Sequence, residues 1–171
     1  MRAAIVAAAA LVVAGFWAVG VAVPPKPPVP QGDELGPAPG ESTQAYVQRA
    51  EGTLDHEDAS FALVTFARPL DAAAAATALQ PAPRVSSLVV AGEAPIVVPE
   101  PSQGSSRIDV LRAATTQPLT GAVVYATREE LRRITDDYRV LAVEMLPADA
   151  VWGAFTLTRS CLLYTSPSPR D

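Results

Sequence analysis

Residues 122–145, AVVYATREELRRITDDYRVLAVEM, carry the clearest structural pattern of the chain. They open with a short apolar run at 122–126, which is typical of a buried strand. Thr127 and Glu130 have the spacing of a capping box, in which each side chain accepts a backbone N–H at the start of a helix. A second strand closes the stretch. Together these signals predict a β-α-β unit.

The helix of this unit is expected to be amphipathic. Leu131, Ile134 and Tyr138 recur at spacings of three and four residues, so we expect all three to face the core. The consecutive aspartates at 136–137 are unfavourable at the C-terminus of a helix because of the helix dipole. The helix is therefore expected to end near Thr135.

A second β-α-β unit is predicted earlier in the chain. The apolar run 61–66 indicates a buried strand, and Asp71 is a good N-cap for an alanine-rich helix at 72–79. A further strand is predicted at 84–90. Two such units joined by a connection predict an α+β domain, a ferredoxin-like (βαβ-βαβ) sandwich of four strands with both helices on one face.

Three further elements are predicted around these units. Ser42 is a suitable N-cap for a helix reaching Leu54. Ser106 begins a capping box for a short helix to about Thr116. Residues 94–99 contain two prolines, which lack a backbone N–H, so this segment is expected to be an edge strand at best.

The first apolar stretch, Ala3–Val23, is a run of 21 residues without a charge. A helix of this length is about 31 Å long, the thickness of the hydrocarbon core of a bilayer. Arg2 predicts an N-in, C-out orientation. The run is longer than the apolar region of most signal peptides, so we expect a single-pass transmembrane anchor at 1–23 in the cytoplasmic membrane. A cleaved signal peptide followed by secretion is the alternative.

Residues 24–41 are expected to form a linker. Seven prolines lie between Pro24 and Gly40, and proline favours an extended, polyproline-like backbone. A proline-rich ligand for a recognition domain is the alternative for residues 24–28. The expected extracytoplasmic α+β domain then occupies residues 42–160.

The last eleven residues, 161–171, read CLLYTSPSPRD and resemble a translated sequencing adapter. We therefore expect them to be foreign to the natural protein, and the domain at 42–160 to be truncated at its C-terminus. Cys161 is the one cysteine of the chain, so the natural domain is expected to contain no disulfide. The net charge of −5 disfavours a nucleic-acid partner, because phosphate binding requires a basic surface.

The sequence predicts no catalytic, cofactor-binding or metal-binding residue. It contains no G-x-S-x-G, H-E-x-x-H, P-loop or Rossmann motif. The one histidine, His56, stands beside Asp55, Glu57 and Asp58, but a single histidine in a solvated acidic turn lacks the ligand set of a zinc site. We expect no cofactor and no enzymatic activity from the visible chain.

Residues 127–144, TREELRRITDDYRVLAVE, resemble the final helix and strand of the inhibitor-like propeptide domains of subtilisin-type proteases. The family pattern has T-x-E-E-L, an apolar residue, an aspartate and V-x-x-V-E. The matching positions are Thr127, Glu129, Glu130, Leu131, Ile134, Asp137, Val140, Val143 and Glu144. Tyr138-Arg139 stands where the family has Pro-Gly. The resemblance implies a peptidase-inhibitor or propeptide-like domain.

The whole chain also resembles the uncharacterised single-pass membrane proteins of high-GC Gram-positive bacteria. We favour a membrane-anchored extracytoplasmic interaction or sensor domain, whose partners are the membrane, through Ala3–Val23, and an unknown protein. The first alternative is the inhibitor or propeptide-like domain, fused to a protease lost beyond residue 160. The second is an enzyme whose catalytic part was lost with the C-terminus.

Overall fold

The computed structural model describes residues 32–158. Within this range the chain is an α+β domain with two sheets. Its strands are β1 (Glu34–Leu35), β2 (Ser60–Leu70), β3 (Arg84–Val90), β4 (Ile96–Val97), β5 (Leu119–Ala126), β6 (Val140–Met145) and β7 (Thr156–Leu157). Its helices are α1 (Thr43–Gly52), α2 (Ala72–Ala78), α3 (Arg107–Ala114) and α4 (Arg128–Thr135).

The main sheet has five strands in the order β4-β3-β5-β2-β6, and every neighbouring pair is antiparallel. The strands of the two β-α-β units interleave, because β5 of the second unit lies between β2 and β3 of the first. At the centre, Gly121 of β5 lies so close to β2 that an added Cβ would be 2.6 Å from the carbonyl oxygen of Val64. The two central strands therefore require glycine at this position.

Three helices cover one face of the main sheet. Alternate residues of β2, such as Val64 and Phe66, pack with Ala75 of α2, Leu111 of α3 and Leu131 of α4, and all five side chains are buried. The period-two alternation of a strand directs these sheet residues to the same side. The main core of the domain lies between this face and the three helices.

The opposite face is covered by different elements. Helix α1 packs Tyr46 and Ala50 against Ala142 of β6. The small parallel sheet of β1 and β7 contributes Leu35 to a second cluster, which contains Phe61 of β2. The domain thus has three layers, with the main sheet in the middle.

The two predicted capping boxes are confirmed. Thr127 and Glu130 exchange the expected hydrogen bonds at the start of α4, and Ser106 and Asp109 do so at the start of α3. Each box satisfies two backbone N–H groups that have no partner within the helix.

The predicted inward orientation of Tyr138 is wrong. This residue is 80% exposed, whereas Leu131 and Ile134 are fully buried. Helix α4 ends at Thr135, so the helical spacing does not extend to position 138. Asp137 instead accepts hydrogen bonds from the backbone N–H and the guanidinium of Arg139 in the turn before β6.

The prediction of a two-layer, four-stranded ferredoxin-like sandwich behind a transmembrane helix is also wrong. The domain has a fifth strand in its main sheet, a second sheet, and four helices distributed over both faces. In residues 32–158 the longest helix, α1, has ten residues, and none combines the length and hydrophobicity required to cross a bilayer. The predicted anchor at Ala3–Val23 lies outside the described residues.

Part of the segment assigned to a linker belongs to the folded domain. Glu34 and Leu35 pair in parallel with Thr156 and Leu157, and Leu35 is fully buried. The composition of residues 24–41 favours an extended backbone, and an extended backbone is also what strand pairing requires.

Candidate functional site

A cleft of about 430 Å³ lies on the second face of the main sheet, beside the β1–β7 pair. Strands β3 and β5 form its floor, and β4 forms one rim. Residues 152–158 form a wall. Most of the lining is apolar. We treat this cleft as the candidate functional site, because concave apolar sites with few polar groups are the usual form of ligand-binding sites.

The floor of the cleft owes its shape to a bulge in β3. Val85 is in register with Val124, but Ser87 is in register with Val123, so Ser86 is an extra residue on β3. Two residues that lie directly opposite each other on adjacent strands have their side chains on the same face of the sheet. Ser87 and Val123 therefore lie together on the cleft side.

Trp152 and Phe155, in the wall of the cleft, belong to an aromatic cluster with Phe61. The ring of Phe61, on β2, lies 5.4 Å from the ring of Trp152 and 5.5 Å from the ring of Phe155. Trp152 and Phe155 are 5.8 Å apart in an edge-on arrangement, a favourable geometry for aromatic pairs. Trp152 is 40% exposed, so it presents apolar surface to solvent at the cleft.

The rim at β4 is apolar and closed to strand addition. Val97 is 68% exposed and lines the cleft. The N–H of Val98 donates to the carbonyl oxygen of Ser86 in β3. Backbone groups of successive strand residues point to opposite sides, so the N–H and C=O of Val97 point away from the sheet. The next outward positions are Pro95 and Pro99, which have no N–H to donate.

The hydroxyl of Ser87 is the distinctive polar group of the floor. The residue is 1% exposed, and its Oγ has no hydrogen-bond partner among the described residues. By contrast, Thr120 donates its hydroxyl proton to the carbonyl of Val89 over 3.2 Å, and Thr158 donates to Glu34 over 2.9 Å.

A buried carboxylate holds the neighbouring β1 segment in place. Glu144 of β6 is 3% exposed and accepts the N–H of Gly36 at 2.6 Å, directly after β1. Arg49 of α1 donates to Glu144 and also to the carbonyl oxygen of Gly36, at 2.9 Å. Glu41 accepts from the Nε of Arg49, also at 2.9 Å. The network ties α1, β6 and β1 together.

Burial and hydrogen bonding shift the pKa values of this network in different directions. Burial raises the pKa of Glu144, although the Gly36 N–H and Arg49 act in the opposite direction. The hydrogen bond from Arg49 lowers the pKa of Glu41, and that same bond is the main reason why the pKa of Arg49 is raised. Because β1 pairs with β7, this network also supports the wall of the cleft.

The residues of the acidic turn are not brought together as a site. The Nε2–H of His56 donates to the carbonyl oxygen of Leu146 at 2.9 Å, and Glu57 pairs with Arg128 of α4. Within the described residues, no group of three or more histidine, cysteine or acidic side chains has the arrangement of a metal site. His56 thus serves to connect the turn with the end of β6.

Sequence reasoning did not identify the residues of the cleft. Ser87 lies in a strand whose pattern indicates only burial, and the segment with Trp152 and Phe155 has no helix or strand period. The pair of aromatic residues after the last predicted strand was the one available signal.

No protein-family model, curated protein or solved structure matches this chain.

Proposed function

We propose that the domain is an interaction or sensor module that binds a small, mainly apolar ligand in the cleft. The observation that supports this most is the cleft itself, about 430 Å³ in volume, with an aromatic wall and a buried hydroxyl in its floor. Small-molecule sites commonly occupy roughly 300–1,000 Å³ and combine apolar walls with a few polar groups.

A small ligand fits this cleft better than an extended peptide. A peptide that extends a sheet needs a row of free backbone donors and acceptors at an edge. At β4 this row is interrupted by Pro95 and Pro99 on either side of Val97. Affinity at this site therefore depends on apolar contact and on Ser87 rather than on strand pairing.

The ligand-binding test uses Trp152 as a local reporter. The chain has two tryptophans, so in a Trp17→Phe background Trp152 is the only one. The full chain is titrated with the neutral dye N-phenyl-1-naphthylamine, whose absorption overlaps tryptophan emission. We expect saturable energy transfer from Trp152 to the dye. Dye bound to the apolar run at 3–23 does not contribute to transfer unless it lies close to Trp152.

Two matched variants locate the bound dye. Val97→Asp adds a charge at the rim, and because that carboxylate must be desolvated, we expect a roughly three- to tenfold loss of dye affinity. Val151→Asp is the control, since Val151 is 57% exposed but does not line the cleft. Equal effects of the two variants, or no saturable transfer, contradict the proposal. So does transfer that appears only after residues 159–171 are removed, because the occupant is then a segment of this chain.

The proposed location of the module is outside the cytoplasm. This proposal is supported by the sequence of residues 1–31, which lie outside the described range. Retention at the membrane and release by signal cleavage lead to the same location for the domain. A reporter enzyme that works only in the cytoplasm, fused after residue 158, is expected to be inactive, and its activity contradicts the location.

A further inference from the structure

We infer that Ser87 is the polar anchor of the cleft, and that the ligand is a neutral, flat apolar molecule with one hydroxyl or similar hydrogen-bonding group. This inference rests on the proposed function and specifies the chemistry of the ligand.

The hydroxyl of Ser87 is in an unusual state for a buried polar group. The residue is 1% exposed, lines the cleft, and has no hydrogen-bond partner for its Oγ in the described part of the chain. Buried hydroxyl groups nearly always have a partner, because leaving one unpaired costs the hydration that it loses. A ligand group in the cleft supplies that partner when the Ser87 side chain rotates toward it.

The threonine hydroxyls and the one carboxylate of the cleft, in the described part of the chain, already have partners. The hydroxyls of Thr120, Thr156 and Thr158 donate to Val89, Asp33 and Glu34, respectively. The carboxylate of Glu93 accepts from the side-chain amide of Gln117. Among the lining hydroxyls within residues 32–158, that of Ser87 is thus the one that is buried without a hydrogen-bond partner.

The charge and shape of the cleft define the rest of the ligand. Among residues 32–158 no lysine or arginine lines it, while Glu93 does, so an anionic ligand finds no cationic partner among them and meets a like charge. Trp152 and Phe155 form an aromatic wall, against which a flat apolar ring system packs favourably. A neutral aromatic alcohol or amide meets all of these conditions.

Ser86 provides a matched control for Ser87. Its hydroxyl is also buried and without a partner among the described residues, and the residue is 2% exposed. It is the extra residue of the same bulge, but it does not line the cleft. Replacing either serine with alanine removes an unpaired hydroxyl, so we expect no loss of stability in urea denaturation of either variant.

The experiment compares 1-naphthol with naphthalene as competitors of the dye in the Trp152 assay. The two compounds share the ring system and differ by one hydroxyl, so the ratio of their affinities isolates the polar contact. We expect Ser87→Ala to reduce the preference for 1-naphthol by roughly three- to tenfold, the value of one hydrogen bond. Ser86→Ala is expected to leave the ratio unchanged.

The outcomes separate this inference from the proposed function. If both compounds displace the dye but Ser87→Ala leaves the affinity ratio as it is in the parent protein, the role of Ser87 is wrong and the cleft remains a binding site. An equal reduction in both serine variants also contradicts the role of Ser87. If neither compound displaces the dye from the vicinity of Trp152, the proposed function itself fails.

Discussion

At the scale of single residues, Glu144 connects three elements of the domain through its hydrogen bonds. Its carboxylate accepts from Gly36 after β1 and from Arg49 of α1, although it belongs to β6. It is 3% exposed, and a carboxylate in such a place is held by its partners rather than by water. A change in its charge therefore affects three elements at once.

The charge of Glu144 predicts a pH dependence of stability. Burial raises its pKa in the folded state, so the folded protein binds this proton more tightly than the unfolded chain does. Its contribution to stability is fully present below the unfolded pKa, about 4.3, and is lost as the pH rises through the folded pKa. We expect the unfolding free energy of Glu144→Gln, relative to the parent protein, to increase as the pH rises above about 4. Urea denaturation at a series of pH values measures this.

Glu41 supplies a control of opposite sign. The hydrogen bond from Arg49 lowers its pKa, so its contribution is present above the unfolded pKa and is lost as the pH falls. The relative unfolding free energy of Glu41→Gln is therefore expected to increase toward low pH. If the relative unfolding free energies of the two variants change with pH in the same direction, the raised pKa of Glu144 is contradicted.

At the scale of secondary-structure elements, the pairing of β2 with β5 depends on one glycine. A Cβ at Gly121 would be 2.6 Å from the carbonyl oxygen of Val64, and 3.6 Å from the Cα of Thr65. The atoms in the way are backbone, which cannot move without separating the two central strands. The close approach thus fixes the residue type at this position.

Gly121→Ala is expected to destabilise the domain by about 1–3 kcal/mol, the usual cost of overpacking. Gly52→Ala is the matched control, because Gly52 ends α1 with no atom within 4 Å of an added Cβ and no positive φ. There alanine is expected to be neutral or to stabilise by up to about 1 kcal/mol through its helix propensity. Denaturation midpoints of the two variants test this, and a loss at Gly52 equal to that at Gly121 would contradict it.

At the scale of the whole molecule, the sequence predicts structural features that depend on residues close together in the chain. Thr127 and Glu130 are one helical turn apart, so their capping box could be recognised from four residues, and the structure contains it. The pairing of β1 with β7 joins residues about 120 positions apart. No pattern within residues 24–41 indicates that partner, and the prolines favour a linker.

The cleft could not be predicted for the same reason. Ser87 and Trp152 come together only because β3 bulges at Ser86 and because residues 152–158 return to the sheet beside β1. In sequence, Ser87 is one of two adjacent serines in the strand RVSSLVV, and the pattern does not indicate which of them faces which side of the sheet. Its unpaired hydroxyl is visible only once its neighbours are known.

The central claim is that this cleft is a ligand site, and the most direct measurement maps a bound ligand onto the chain. Backbone amide NMR of the full protein during titration with 1-naphthol gives that map. We predict saturable shifts in the segments 87–97, 120–123 and 152–158, which contain the residues that line the cleft, and little change in α1 or α4. Shifts centred on α1 and α4, or no saturable shift in the cleft, would contradict the claim.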